Sequence, residues 1–356
     1  MNRNHLLVTL DYPPEQGGVA RYLGNLVRVS KGCMQVLVPH THALSGPGEV
    51  SSARFFWRGP IAWLPLVWTL WCRRQASSLL VSHLLPVGTS ALLARLMGGA
   101  PYLVLVHGLD VLLAEGSWRK RWLAGCVLRG ARAVVANSGA TAERVRAVWR
   151  GVSPHVITPG VEPRSFLSRL EARAKLEISS SETVLLTVAR LEPRKGMDRM
   201  IEALATFPSV RYVVIGEGAD RARLEALASV HAQGRVLFLG ACSDAVRDLW
   251  LKAGDVFAFL AREEARDVEG FGIACLEASL AGLPVLAGRS GGVGEAVLHD
   301  QTGLLVRPTD LEEIRVALGR LLDDPALRSR FGEAGRIRAQ TLFRWEDRFE
   351  AFRALL

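Results

Sequence analysis

The run Asp267-Val268-Glu269-Gly270-Phe271-Gly272-Ile273-Ala274-Cys275-Leu276-Glu277-Ala278 carries more structural information than any other part of this chain. Gly270 and Gly272 mark a loop whose backbone lies close to a neighbour or takes positive φ. Ile273 to Ala281 predicts a short helix stopped by Gly282, with Val285-Leu286-Ala287 a buried strand beyond. Glu269 then sits in the loop and Glu277 about one turn inside the helix. The helix start leaves amides near Phe271, Gly272 and Ile273 unpaired, a seat for an anion. Carboxylates on either side repel a bare anion but accept hydrogen bonds from hydroxyls. Together these groups suit a phosphate ester carrying polyols, such as a nucleotide sugar. The same spacing also fits a plain loop and helix with two solvated glutamates.

Two glutamates with seven residues between them, around a Gly-Phe-Gly turn, resemble the signature of the retaining glycosyltransferases of the large family-four group. The run ending in Leu276-Glu277-Ala278, followed by Ser290-Gly291-Gly292, is similar to the branch containing phosphatidylinositol mannosyltransferases. The resemblance covers nearly the whole chain. It implies an α/β protein of the GT-B fold: two Rossmann-like, doubly wound parallel-sheet domains facing a cleft. The expected N-terminal domain is 1–163, with a returning C-terminal helix at 341–356, and the expected donor-binding domain is 164–340.

Composition is consistent with that size. A chain of 356 residues, 49% hydrophobic with 34 Gly, accommodates two domains that each bury a core. The cysteines at 33, 72, 126, 242 and 275 are scattered and lack Cys-x-x-Cys spacing. They point to a reducing compartment and away from a zinc site or a disulfide frame. The opening MNRNHLLVTL has too short an apolar run for a signal peptide. Residues 1–165 carry 18 Lys and Arg against 7 Asp and Glu, whereas the remainder carry 26 against 28. This surplus suits an anionic membrane surface; no nucleic-acid motif accompanies it, and nucleic acid is not an expected partner.

In chain order, Leu6 to Leu10 predicts a buried strand leading through Asp11 and the pair Gly17-Gly18 to a helix from Ala20. Glycines there bring backbone amides to the carboxyl end of a sheet, where open α/β sheets bind ligands, although a simple tight turn fits as well. The resemblance puts Gly18 against the donor diphosphate and makes Asp11 an acceptor residue. Four of nine tryptophans fall at 57, 63, 68 and 71, inside the stretch Phe55 to Arg74. Its apolar part is too short to span a bilayer, and it reads either as a membrane-interface segment or as a core helix. His107 follows the strand Tyr102 to Val106 at the ligand-binding edge of the sheet, and the resemblance places it near the transferred sugar. Trp118-Arg119-Lys120-Arg121-Trp122 adds a basic, aromatic surface or an exposed helix face. Asn137-Ser138 opens a capped helix over Thr141 to Trp149.

The second half repeats the alternation of strand and helix. Val184 to Ala189 is a strand, followed by Arg190-Leu191-Glu192-Pro193-Arg194-Lys195-Gly196 and a helix from Met197. Cations at a strand end beside a helix start suit a diphosphate, and the resemblance gives that role to Arg190 and Lys195. Gly216-Glu217-Gly218 resembles a dinucleotide fingerprint but lacks its third glycine and an acidic ribose partner, which argues against NAD. Gly216 and Gly240 are expected near the donor, the latter beside its base.

The resulting expectation is a retaining, metal-independent hexosyltransferase with no cofactor. Its donor is a nucleoside diphosphate sugar, GDP-mannose favoured over a UDP-sugar, and its acceptor a lipid or lipid-linked glycan, with a soluble glycan as the alternative. It would work at the cytoplasmic membrane face as a peripheral protein. Arg190, Lys195 and the amides at Gly18 and the Phe271-Gly272 helix start would stabilise charge on the leaving β-phosphate, with Gly17, Gly270 and Ile273 also lining the donor. Glu277 would hold the ribose and, by resemblance, Glu269 the sugar hydroxyls. No Asp-x-Asp occurs to hold a metal-bound diphosphate. Two other readings compete. A glycosidase using the glutamate pair would not need Arg190 and Lys195. A non-catalytic, membrane-bound sugar-nucleotide scaffold would bind donor without transfer.

Overall fold

Short apolar runs alternating with helices build two separate parallel sheets. The computed structural model describes residues 4–15, 17–57, 62–264 and 267–356. Arg58 to Ile61 of the tryptophan-rich stretch, Gln16 of the glycine loop, and Ala265 and Arg266 lie outside them. The first sheet contains β1 (His5–Val8), β2 (Met34–Pro39), β3 (Val50–Ala53), β4 (Ser78–Val81), β5 (Tyr102–Val106), β6 (Ala133–Ala136) and β7 (His155–Val156). Its spatial order is β3-β2-β1-β4-β5-β6-β7. The second contains β8 (Thr183–Val188), β9 (Val210–Ile215), β10 (Val236–Gly240), β11 (Val256–Phe259), β12 (Val285–Gly288) and β13 (Gly303–Val306), in the order β10-β9-β8-β11-β12-β13. Neighbouring strands run parallel in both.

Helices cover both faces of such sheets, so the strands are apolar on both sides. In the second sheet, Val184, Leu186, Val213, Ile215, Phe257 and Phe259 join one core, and Leu185, Tyr212, Val214, Val256 and Ala258 join another on the opposite face. Winding reverses between β1 and β4, and again between β8 and β11. Loops leaving those strands run in opposite directions, and such reversal points are where open α/β sheets take ligands.

The chain divides into Met1–Gly160 with Trp345–Leu356, and Val161–Arg344. Both boundaries therefore differ by a few residues from those expected at 163 and 341. Phe343 is the reason. Its ring lies 5.8 Å from Phe271 and beneath the Arg338 guanidinium, and its carbonyl accepts the Val161 amide at 2.7 Å, all within the second unit. The helix Trp345–Arg353 then buries Trp345, Phe349 and Phe352. Trp345 and Phe352 meet Tyr22 of the helix Gly18–Val29 edge-on.

The tryptophan-rich stretch proves to be core on one side and surface on the other. Helix Leu64–Cys72 buries Leu66, Val67 and Leu70 but leaves Trp68 61% exposed. Trp71 stacks near Trp68 and donates from Nε1 to the Met97 carbonyl at 3.1 Å. Among the described residues no helix is long and apolar enough to cross a membrane.

Asp255, buried just before β11, ties three segments of the second unit. It accepts the Val184 amide at 2.8 Å, pairs with Arg169, and faces the buried Arg173 Nη1 at 3.4 Å. Arg173 also donates to the carbonyls of Ala253, Ser179 and Glu182. Removing one partner of a buried pair leaves an uncompensated charge, so Asp255→Ala is expected to cost about 3–5 kcal/mol. Denaturant unfolding of the variant measures this; a loss below about 1 kcal/mol, the range of exposed pairs, would show the node to be idle.

Candidate active site

In the second unit the loops leaving β8 and β11 meet through charge. After β8, a 3₁₀ turn at Pro193–Lys195 ends on Gly196, whose φ is +73°. A Cβ on Gly196 would lie 2.0 Å from the Leu260 carbonyl oxygen, so only glycine lets this turn settle on the end of β11. Arg194 and Lys195 are both buried there. Lys195 Nζ donates to Glu269 Oε2 at 2.6 Å and lies over the Phe259 ring, and Arg194 Nη1 donates to the same oxygen at 2.8 Å. Arg194 also pairs with Asp267 at 2.6 Å and with Glu192 at 3.3 Å. Burial alone would push the Glu269 carboxyl up; Lys195 and Arg194 outweigh it and hold the group below the usual carboxylate range.

The Glu269 loop is held from its other side. A Cβ on Gly291 would stand 2.0 Å from the Glu269 carbonyl oxygen, which also accepts the Gly292 amide at 3.2 Å. Gly272, in the left-handed region, caps the helix Ile273–Leu280. Among the described residues the amides of Gly270, Phe271, Gly272 and Ile273 meet no hydrogen-bond acceptor. The Phe271 side chain is core, so only its backbone is available for binding. Glu277 is buried, with Oε1 3.3 Å from Arg164 and 3.9 Å from Arg247.

The other expected residues of this unit lie in varied settings. Arg190 is not drawn to Glu269: its side chain is 57% exposed and pairs with Glu192 at 2.9 Å. Arg194 occupies the place beside Lys195 instead. Its adjacency to Lys195 was the available signal, but only the 3₁₀ turn brings both side chains onto one carboxylate. Gly216 is packed rather than open. A Cβ there would meet the Ala189 carbonyl oxygen at 1.9 Å, and its amide is committed to the Gly240 carbonyl at 2.8 Å. Gly240, with φ +73°, lies against Glu217.

The first unit gathers a second polar cluster. Gly17 precedes the helix Gly18–Val29, and a Cβ on either Gly17 or Gly18 would meet nothing within 4 Å. Asp11, beyond β1, reaches His83, beyond β4, with 3.1 Å between Oδ2 and Nε2. Sequence reading missed His83, although a histidine just past a buried strand is the same signal that singled out His107. The His107 backbone amide donates to Asp110, and its ring packs edge-on against Tyr22. Its Nε2 is buried and meets no partner among the described residues. Burial, reinforced by His83 and opposed by Asp11, pushes its pKa down to about 3, so the imidazole is neutral at pH 7.

Comparison with known proteins matches both units. Residues 7–160 match the glycosyl transferase 4-like domain, and residues 168–338 match the glycosyl transferases of group 1. A GDP-mannose-dependent alpha-(1-6)-phosphatidylinositol monomannoside mannosyltransferase of Mycobacterium tuberculosis is 31% identical, over 96% of this chain and 94% of its own. The GDP-mannose-dependent monoacylated alpha-(1-6)-phosphatidylinositol monomannoside mannosyltransferase of Corynebacterium glutamicum is 29% identical, over 97% and 95%. Among solved structures, sucrose-phosphate synthase of Thermosynechococcus elongatus superposes with a TM-score of 0.84 at 24% identity, covering 99% of this chain and 98% of that one. HepE of Anabaena, in complex with UDP-glucose, gives 0.82 at 21%, covering 99% and 100%. The chain is therefore a glycosyltransferase of group 1, with a 4-like N-terminal domain and the GT-B fold.

Proposed function

We propose that this protein transfers mannose from GDP-mannose, with retention, to a phosphatidylinositol mannoside or similar mannolipid at the cytoplasmic face of the membrane. The observation that carries the reading is the convergence of Lys195 and Arg194 on Glu269 Oε2, beside amides around Gly272 that meet no acceptor among the described residues. The Lys195 ammonium has further N–H donors to offer an anion while anchored to that carboxylate, and Arg194, each of whose nitrogens faces a carboxylate, adds its positive charge. The bond from the anomeric carbon to the β-phosphate oxygen breaks, the acceptor oxygen bonds on the same face, and its proton passes to the leaving phosphate. In the second unit, Lys195, Arg194, Arg190 and the amide of Gly272 stabilise the departing charge. Glu269 orients the sugar hydroxyls, Glu277 the ribose, and neutral His107 the transferred hexose. Asp11 belongs to the acceptor side. The open space at Gly17 and Gly18 supports close approach of a diphosphate, since packing within the described residues does not demand glycine there.

The nature of the acceptor is supported by the relatives' activity and by the surface of the first unit. Trp118 and Trp122 are 76% and 67% exposed, one turn apart on the helix Trp118–Gly130, with Arg119, Lys120 and Arg121 exposed between them. Indole rings interleaved with cations suit the headgroup layer of an anionic bilayer.

GDP-mannose at about 100 times its dissociation constant should stabilise the fold by about 2.7 kcal/mol, a rise of a few degrees in the melting midpoint. UDP-glucose should do little. If neither a GDP- nor a UDP-sugar shifts the midpoint, the donor site is wrongly assigned. Lys195→Ala should lower kcat for mannosyl transfer by about 100-fold or more, as loss of one transition-state donor does; an unchanged kcat would remove the lysine from the chemistry. The protein should co-sediment with phosphatidylglycerol-containing vesicles in a salt-sensitive manner, and the pair Trp118→Ser and Trp122→Ser should weaken this several-fold. Equal binding to neutral vesicles, or no effect of the pair, would rule out that surface.

A further inference from the structure

We propose that His83 is a positioning residue: a proton on its Nε2, shared with Asp11, holds that carboxylate at the switch point of the first sheet for the acceptor. The inference rests on the reading that the first unit receives the acceptor.

The hydrogens around it can be counted. Thr9 has one hydroxyl hydrogen, and its Oγ1 lies 2.9 Å from the Asp11 carbonyl oxygen, which can only accept. Thr9 Oγ1 in turn accepts the Asp11 amide at 3.0 Å and the Ser82 hydroxyl at 2.7 Å. The single hydrogen of Ser82 is thereby committed to Thr9. Ser82 Oγ also lies 2.8 Å from His83 Nδ1, so in that contact the nitrogen must donate. A neutral imidazole with its hydrogen on Nδ1 has only a lone pair at Nε2. Yet Nε2 stands 3.1 Å from Asp11 Oδ2, where two lone pairs would repel and one proton between them attracts. The network is self-consistent only if that proton is present.

Thr9 and Ser82 are fully buried, so this chain of bonds is a built part of the sheet edge. It runs from the exit of β1 to the exit of β4, across the point where winding reverses. Both ends of Asp11 are gripped: its backbone by Thr9 and its carboxylate by His83. A carboxylate held this way keeps one orientation toward an acceptor hydroxyl.

The test uses the full-length protein labelled with ¹⁵N-histidine, at pH 7. His83, assigned by the signals lost in His83→Gln, should show both ring nitrogens protonated. Asp11→Asn should convert it to the neutral form with its hydrogen on Nδ1. In the transfer assay, His83→Phe should raise the acceptor KM by about tenfold or more, the range expected for losing a hydrogen bond to a charged group. GDP-mannose KM should stay unchanged, and His83→Gln, whose amide can still donate to Asp11, should recover most of the acceptor affinity. A lone-pair Nε2 in the wild-type protein overturns the proposal, as does a His83→Phe defect confined to the donor or to kcat. If no mannolipid is turned over by the wild-type protein, the functional reading has failed, while the nitrogen spectrum still decides the proton.

Discussion

Polar side chains pair across the mouth of each sheet at the place where its winding reverses. In the first, Asp11 beyond β1 meets His83 beyond β4. In the second, Lys195 beyond β8 meets Glu269 beyond β11. The two local sequences share no motif, yet the topology creates the same problem in both. Loops diverge from adjacent parallel strands, and their polar groups are partly withdrawn from water. Charges in such a place must be paired, because an unpaired one would be expelled or neutralised.

Pairing alone does not explain why these charges are kept. A buried ion pair adds little stability over a well-packed apolar replacement. In the second unit the arrangement is also demanding to build. Gly196 must lie against the Leu260 carbonyl and Gly291 against that of Glu269, both at distances that no side chain tolerates. Backbones are pressed together so that two cations can share one carboxylate oxygen. That investment is intelligible if the cations hold a leaving diphosphate and the carboxylate keeps them in register before it arrives. The structural node at Asp255, by contrast, lies at the opposite, entering end of β11, and its arginines spend their donors on carbonyls.

The two units differ in surface charge and in exposed aromatic residues. The first carries the positive surplus and the exposed tryptophans, on helices packed around its sheet. Such a face suits the proposed lipid acceptor, whose acyl chains would lie in a bilayer. The second unit is nearly neutral and carries the cations where the donor reading requires them. Its last helix, Pro325–Leu342, is followed at once by a helix of the first unit. The chain therefore enters and leaves the second unit at neighbouring residues: the Val161 amide bonds to the Phe343 carbonyl.

Much of this was legible in the chain itself. Apolar runs of four to six residues alternating with helical segments specify parallel sheets covered on both faces. The Gly-Phe-Gly turn between Glu269 and Glu277, and the breaks at Gly196 and Gly282, are local signals because backbone conformation is a local property. Residues 1–165 and the rest could be told apart by charge alone. What no local signal contained was which side chains would meet. Arg190 and Arg194 are four residues apart in one loop, and only the 3₁₀ turn seated on Leu260 selects Arg194 for Glu269. Asp11 and His83 lie far apart in sequence and touch because β1 and β4 are neighbours in the sheet. Phe343 reads as part of the returning tail, yet Phe271 and Arg338 claim it for the other unit. Sequence by itself determined the elements and the loops that carry chemistry, since these follow from short-range periodicity and turn geometry. Tertiary structure alone decided the partners, since strand order and close packing bring together residues that the chain keeps apart.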